Sequence, residues 1–253
     1  SPHGFAMKPS HAKMLQNADL IFWVGEDLES FLEKPLNSIA KRAEKIELMD
    51  IKGLNVLEFR ERNIFDDHDD HDHDGHAKKK KDDHDDGEYD PHIWLDPINA
   101  KVILKEMTEH LIENDSKNAS TYKSNLDKAL KDIDKLTMDV MTELNQSVAS
   151  IVFHDAYQYF EERFNVNILG AFTVNTDVMP GAEQLAEIRE IIEHDKVSCV
   201  FSEPQFNPDI IKAVAKDMNI KTGVIDPLGA TLDPGKDLYF DLINNMSSSF
   251  KGC

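Results

Sequence analysis

The sequence predicts an α/β protein of two lobes, each built on a mainly parallel sheet flanked by helices, with one long rigid helix joining them. Three observations carry this. Short, nearly all-apolar runs of strand length alternate with amphipathic stretches of helical period in both halves of the chain. Between the halves lies an uninterrupted helical pattern without Pro or Gly. The 253 residues also suffice for two lobes of about 100 to 150 residues, each able to bury its own core.

Pro9 and Ser10 mark a helix start ahead of residues 11–17, and Leu20 to Val24 is an apolar run stopped by Gly25, as in a buried parallel strand. A helix over 28–41 and a strand over 45–48 follow. The pattern collapses between Asp66 and Asp90, which reads as a loop. Asp96 is then a good N-cap with Pro97 at the first helical position, and Ile98, Val102, Met107 and Leu111 keep a helical period to Asn114. A second helical run opens at Ser116 or Asn118 and continues to Gln146, with Tyr122, Leu126, Leu130, Ile133, Leu136, Val140 and Leu144 on its stripe. It would span about 45 Å. Thr137 breaks the stripe and the heptads are too few for a coiled-coil arm, so residues 116–147 are expected to be a strut between lobes 1–115 and 148–253.

From Ser150 the alternation resumes, with strands expected over 150–153, 167–172, 200–202 and 221–225 and helices over 155–164, 182–193, 208–218 and 236–250. In a parallel sheet the functional crevice lies beyond the carboxyl ends of the strands. His154, Glu203 and Asp226 each follow an expected strand directly, so all three should face one cleft. Asp155 is placed to cap the helix that follows His154.

A net charge of −20 repels nucleic-acid phosphates and anionic lipid, and Lys78 to Lys81 is too small a basic cluster to offset it. No apolar run is long enough to span a membrane. The N-terminus lacks the basic and apolar regions of a signal peptide, so the chain reads as mature or trimmed. Cys199 and Cys253 are too few for a disulfide scaffold but could form one bridge in an oxidising compartment. The stretch Asp66 to Asp90 holds eleven Asp, one Glu, four Lys and five His, namely His68, His71, His73, His76 and His84. Without core-forming residues it is expected to stay disordered, and imidazoles interleaved with carboxylates offer many weak sites for borderline divalent metals.

Three further histidines have settings suited to ligation. His92 lies between Pro91 and Pro97, which fix the backbone around it, and His154 sits at a strand-to-helix junction where its ring can point into the cleft or into the core. His3, close to the chain start, would fray unless held. By contrast His11, His110 and His194 fall on helices with polar neighbours and read as surface residues.

Taken in order, Ser1-Pro-His-Gly-Phe-Ala-Met-Lys-Pro-Ser, Leu15-Gln-Asn-Ala-Asp-Leu-Ile-Phe-Trp-Val-Gly, the His/Asp-rich insertion, His92-Ile-Trp-Leu-Asp-Pro, Val152-Phe-His-Asp-Ala-Tyr, Phe172-Thr-Val-Asn, Pro180-Gly-Ala, Cys199-Val-Phe-Ser-Glu-Pro-Gln-Phe and Ile225-Asp-Pro-Leu-Gly resemble the zinc-uptake solute-binding proteins of ABC importers, the ZnuA type within the wider cluster of zinc and manganese binders. The resemblance covers nearly the whole chain. It implies a periplasmic receptor that is not an enzyme and delivers Zn2+ to a membrane permease. The metal would be held between the lobes by His3, His92 and His154, with Glu203 orienting an imidazole. In manganese relatives the position matching His154 is a carboxylate, so histidine there argues for zinc.

Where some zinc relatives carry an additional glutamate ligand just before the first histidine, this chain has Pro2. The fourth position therefore falls to water or to Asp226, which matches a carboxylate ligand of the manganese relatives. The resemblance also implies a Cys199–Cys253 disulfide and hence an exported location. Family members have a signal peptide and a first strand, helix and strand ahead of this point, so the first lobe is expected to be incomplete at its start. Other readings are a zinc hydrolase, for which Glu203 is the evident base, a metal buffer centred on the acidic loop, and a manganese or iron importer subunit.

Overall fold

The computed structural model describes residues 2–60, 62–65, 89–144, 148–174, 176 and 180–253. His68, His71, His73, His76 and His84 lie outside the described residues, as do residues 145–147, over which the long helix was expected to end.

In the first lobe α1 (Pro9–Asn17) leads into β1 (Leu20–Trp23), which pairs in parallel with β2 (Glu44–Glu47). The single helix expected over 28–41 is instead α2 (Glu26–Glu29) and α3 (Glu33–Ser38), separated by a 3-10 turn at Ser30–Leu32. Pro35 explains the break. Inside a continuous helix it would remove a hydrogen bond and clash with the preceding turn, costing about 3 kcal/mol. Restarting at Glu33 places it in the first turn, where an N–H has no intrahelical partner in any case.

Asp96 caps α4 (Pro97–Asn114) as expected, its carboxylate accepting from Ile98 N at 2.8 Å. The same carboxylate accepts two 2.7 Å bonds from Arg163 of the second lobe. The long helix α5 (Ala119–Glu143) is shorter than expected, because residues 116–118 form a separate 3-10 turn. It spans about 37 Å. Ile133, Leu136, Thr137 and Val140, all in its second half, are the buried positions; Thr137 bonds Ile133 O at 2.8 Å, so its hydroxyl is satisfied inside the stripe.

The second lobe runs β3 (Ser150–His154), α6 (Gln158–Phe164), β4 (Ile168–Thr173), α7 (Ala182–His194), β5 (Cys199–Ser202), α8 (Asp209–Met218), β6 (Lys221–Val224) and α9 (Leu238–Lys251). All four strands are parallel, in the order β4-β3-β5-β6. The chain thus leaves β3 to one side for β4 and returns to the other side for β5, making a switch point at the carboxyl ends of β3 and β5. α5 packs on α4 at one side and on α9 at the other, where Glu143 accepts from Ser247 at 2.9 Å and Lys251 at 3.1 Å. Cys199 and Cys253 are disulfide-bonded, with Cα atoms 5.7 Å apart. The bridge closes 54 residues, worth about 4 kcal/mol on the chain-entropy model, and clamps the end of α9 to the sheet.

A strap from the first lobe crosses onto this sheet. Ile64 makes an antiparallel bridge with Gly170, and Ala171 N donates to Asn63 O at 2.7 Å while Phe65 N donates to Leu169 O at 2.9 Å. A Cβ at position 170 would lie 2.6 Å from Asn63 O, so this approach requires glycine. Arg60 on the strap donates to Asp155 at 3.1 Å and to Glu161 at 2.7 Å, and lies 3.9 Å over the Phe65 ring. Here the structure departs from expectation: α6 begins at Gln158 because the Asp155 carboxylate is committed to Arg60 and does not cap the helix.

Burial lifts the Glu161 carboxyl from its ordinary 4.5 to about 7, with Arg60 acting against that rise. Its ionisation therefore weakens the fold as pH climbs from about 4.5 to about 7, and Arg60 limits the loss. Arg60→Met should destabilise the protein by about 3 kcal/mol at pH 8, where the carboxylates are left charged and unpaired. At pH 5 the loss should shrink. Thermal unfolding at both pH values checks this; equal losses would mean that only the packing of the arginine stem matters.

Candidate metal centre

Three segments distant in sequence bring one imidazole each to the switch point. His154 ends β3, His92 precedes the 3-10 turn Ile93–Leu95, and His3 lies in the turn at the chain start. The ring centroids are separated by 5.4 Å for His92 and His154, 5.6 Å for His3 and His92, and 6.1 Å for His3 and His154. One ligand atom from each lies within 4.8 Å of the other two. Zinc with bonds of about 2.0–2.1 Å draws tetrahedral ligand nitrogens to about 3.3 Å from each other, so a small contraction closes the shell.

Each buried imidazole is backed by a carboxylate. His154 Nδ1 is 2.7 Å from Glu203 Oε1, across the gap between β3 and the end of β5. His92 Nδ1 is 2.7 Å from Asp90 Oδ1, which also accepts from His92 N at 2.9 Å. A proton on Nδ1, donated to the carboxylate, fixes the tautomer that leaves the Nε2 lone pair for a metal. His154 Nε2 is buried without a hydrogen-bond partner among the described residues, as a lone pair reserved for an ion would be. Burial, then the neighbouring His92 and His154, lowers the pKa of His3 to about 3, so this ring is neutral.

The backbone around His92 is tied to both lobes. Asp90 N donates to Leu57 O at 2.9 Å, and Tyr159 Oη donates to Asp90 O at 2.7 Å. Trp94 Nε1 donates to Pro227 O at 2.8 Å, and Tyr239 Oη to Trp94 O at 3.0 Å. Behind the imidazoles, Tyr157 is fully buried, and burial followed by the charge of Glu203 holds its hydroxyl far above the usual phenol range. Tyr157 therefore stays a neutral phenol.

Two hollows meet at the three rings. A chamber of about 10 Å³ is lined by Pro2, His3, His92, His154, Glu203 and Phe206 among others, room for one small ion or water. A cleft of about 650 Å³ is lined by His3, His92 and His154 together with the carboxylates of Glu26, Asp27 and Glu33.

Of the residues singled out by sequence, His3, His92, His154 and Glu203 converge. Asp226 stands apart from the three-imidazole set: its Oδ1 accepts from Gln205 Nε2 at 2.6 Å and Leu228 N at 3.1 Å, and its Oδ2 from Thr231 N at 3.4 Å. Sequence reasoning missed Asp90, although its signal was there, since Pro91 forces the turn that brings a carboxylate two residues back onto the ring of His92.

Residues 1–253 match the profile of the ZnuA family, described as zinc-uptake complex component A, periplasmic. The chain is similar to the high-affinity zinc uptake system protein ZnuA of Brucella abortus (strain 2308), with 40% identity over 273 residues covering 100% of this chain and 82% of the relative. The Yersinia pestis protein of the same name is 37% identical over 263 residues, covering 100% and 81%. Among solved structures, a ZnuA crystal structure superposes with a TM-score of 0.76 at 21% identity, covering 98% of this chain and 86% of that one. A manganese-bound periplasmic metal-binding protein from Candidatus Liberibacter asiaticus gives 0.77 at 20%, covering 99% and 86%. At those identities the structural likeness bears on the fold. The whole-chain profile match and the 40% identical relative place this chain in the ZnuA family.

Proposed function

We propose that this chain captures Zn2+ in the periplasm with His3, His92 and His154 and delivers it to the membrane permease of an ABC importer. The single observation that supports this ligand set is the convergence of three imidazoles, two of them locked through Nδ1 by buried carboxylates, at the switch point of the second sheet. The family is one of periplasmic zinc-uptake components, binding receptors and not enzymes. Glu203 fits that role, since its hydrogen-bonded oxygen faces Nδ1 and not the cleft, where a hydrolytic base would have to be. Among the described residues no helix is long and apolar enough to cross a membrane. The division into lobes 1–115 and 148–253 with the strut at 116–147 belongs to the same proposal. It is supported by α5 packing on α4 and on α9.

The proposal assigns His68, His71, His73, His76 and His84 to weak secondary binding. The cleft ligands are brought together by folding, whereas the sequence from Asp66 to Asp90 supplies no core-forming side chains to bring its histidines together. Deleting residues 66–88 should leave the first calorimetric binding event nearly unchanged and remove later, weaker ones. His92→Ala with His154→Ala should do the reverse. Loss of the tight event on loop deletion would make the protein a metal buffer instead.

Water completes the shell in this reading, because Asp226 is already engaged by Gln205 and two backbone amides. Asp226→Ala should therefore weaken zinc far less than His154→Ala in a chelator competition. Equal losses would promote Asp226 to a ligand. The carboxylates behind the rings should matter more: Asp90→Asn or Glu203→Gln should each lower zinc affinity about 10–100-fold, measured in the same competition, whereas unchanged affinity would reduce them to packing.

A further inference from the structure

Outside the cleft, one group of side chains has the layout of a metal site. It lies where α4 crosses β2. Glu44 is the first residue of β2, and His110 and Glu113, three apart on α4, share one face of that helix. One ligand atom from each of the three lies within 4.8 Å of the others. His110 Nδ1 is 2.9 Å from Glu44 Oε1, yet it is buried and forms no hydrogen bond among the described residues. His110 Nε2 is 3.3 Å from Glu106 Oε1, one turn earlier on the same helix.

A carboxylate faces each ring nitrogen, Glu44 at Nδ1 and Glu106 at Nε2. A divalent cation bound at Nδ1 would take the place of a proton there and accept Glu44 and Glu113 as further ligands. The carboxylate behind the far nitrogen repeats the arrangement at His92 and His154 with the ring nitrogens exchanged. The His110 ring also packs edge-on to Phe22, with centroids 6.1 Å apart, which holds its orientation. The Glu106 contact leaves Nδ1, Glu44 and Glu113 as the group with ligand spacing.

We propose that Glu44, His110 and Glu113 form a second site for a borderline divalent cation such as Zn2+, with Glu106 positioning the imidazole. One nitrogen and two carboxylate oxygens, with open positions for water, suit zinc and its first-row neighbours. The site is weaker than the cleft, because Glu44 and Glu113 are exposed and must be desolvated and ordered by the ion. It lies about 20 Å along α4 from the helix start beside His92, so the two sites fill independently. An ion there would pin β2 to α4.

Long-range 1H–15N correlation spectra of the histidine rings in the full chain, titrated in buffers of fixed free zinc, test this residue by residue. At free zinc above that which fills the cleft, the His110 Nδ1 resonance should move to the metal-bound position. Glu44→Gln with Glu113→Gln should raise the midpoint of that movement at least about tenfold, the loss that removal of even an orienting partner produces, while the cleft resonances respond as before and report an intact fold. Glu113→Gln alone, on an exposed helix face, should give a smaller increase. An Nδ1 resonance indifferent to zinc, or one with the same midpoint in the double variant, overturns the proposal. So does movement that tracks cleft loading and disappears in His92→Ala with His154→Ala, since that would be an indirect effect of the first ion.

Discussion

The hydrogen bond between a buried carboxylate and the Nδ1 of a buried imidazole is the interaction on which this site depends. It occurs at His154 with Glu203 and at His92 with Asp90, each at 2.7 Å and each shielded from water. A carboxylate taken out of water without partners is strongly destabilising. Both pairs retain one unpartnered carboxylate oxygen among the described residues. The fold tolerates this because the same pairs prepare the Nε2 lone pairs, and an arriving cation stabilises the carboxylates through the rings. Binding free energy is thereby coupled to folding free energy.

Holding those pairs in place calls for two lobes that do not slide. The long helix does part of this, packing against α4 and α9, and the strap that carries Arg60 and residues 62–65 does the rest. It meets the edge of β4 through the bridge at Gly170 and pairs Arg60 with the residue next to His154. Arg163 joins the lobes from the other direction by gripping Asp96, the cap of α4, four residues after His92. The ligand-bearing segments are thus fixed by ion pairs and backbone hydrogen bonds that converge behind them.

The alternation of apolar runs and helical stripes made the fold legible in the sequence, and the strand ends bring His154 and Glu203 side by side because side chains just past parallel strands face the same crevice, whereas Asp226, expected with them, stands apart from the imidazoles. Legibility failed where a long-range partner overrode a local signal. Asp155 looks like a helix cap until Arg60 arrives from 95 residues away, and the helix over 28–41 looks continuous until the position of Pro35 is weighed against its period. Asp90 was missed for a different reason. One of eleven aspartates in an acidic stretch carries no local mark of its role, and only the turn imposed by Pro91 distinguishes it. His110 likewise reads as a surface residue on its own helix, since Glu44 is 66 positions away and is brought to it by β2.

Charge balance would explain how the proposed zinc site rests on imidazoles alone in a protein already so acidic. Three neutral rings contribute no charge to a divalent ion, and His3 is held neutral across the physiological range. The compensating negative charge stands one ring further out, on Asp90 and Glu203, two carboxylates for two positive charges. Moving those carboxylates into the ligand shell would balance the ion equally well but would present hard oxygens, which suit manganese and magnesium. Keeping them behind the rings separates the two requirements: nitrogen donors choose the metal, while the outer carboxylates neutralise it. In the proposed ligand set the acidic cleft at Glu26, Asp27 and Glu33 would serve approach and not selection, because carboxylates attract any cation whereas imidazoles discriminate between them.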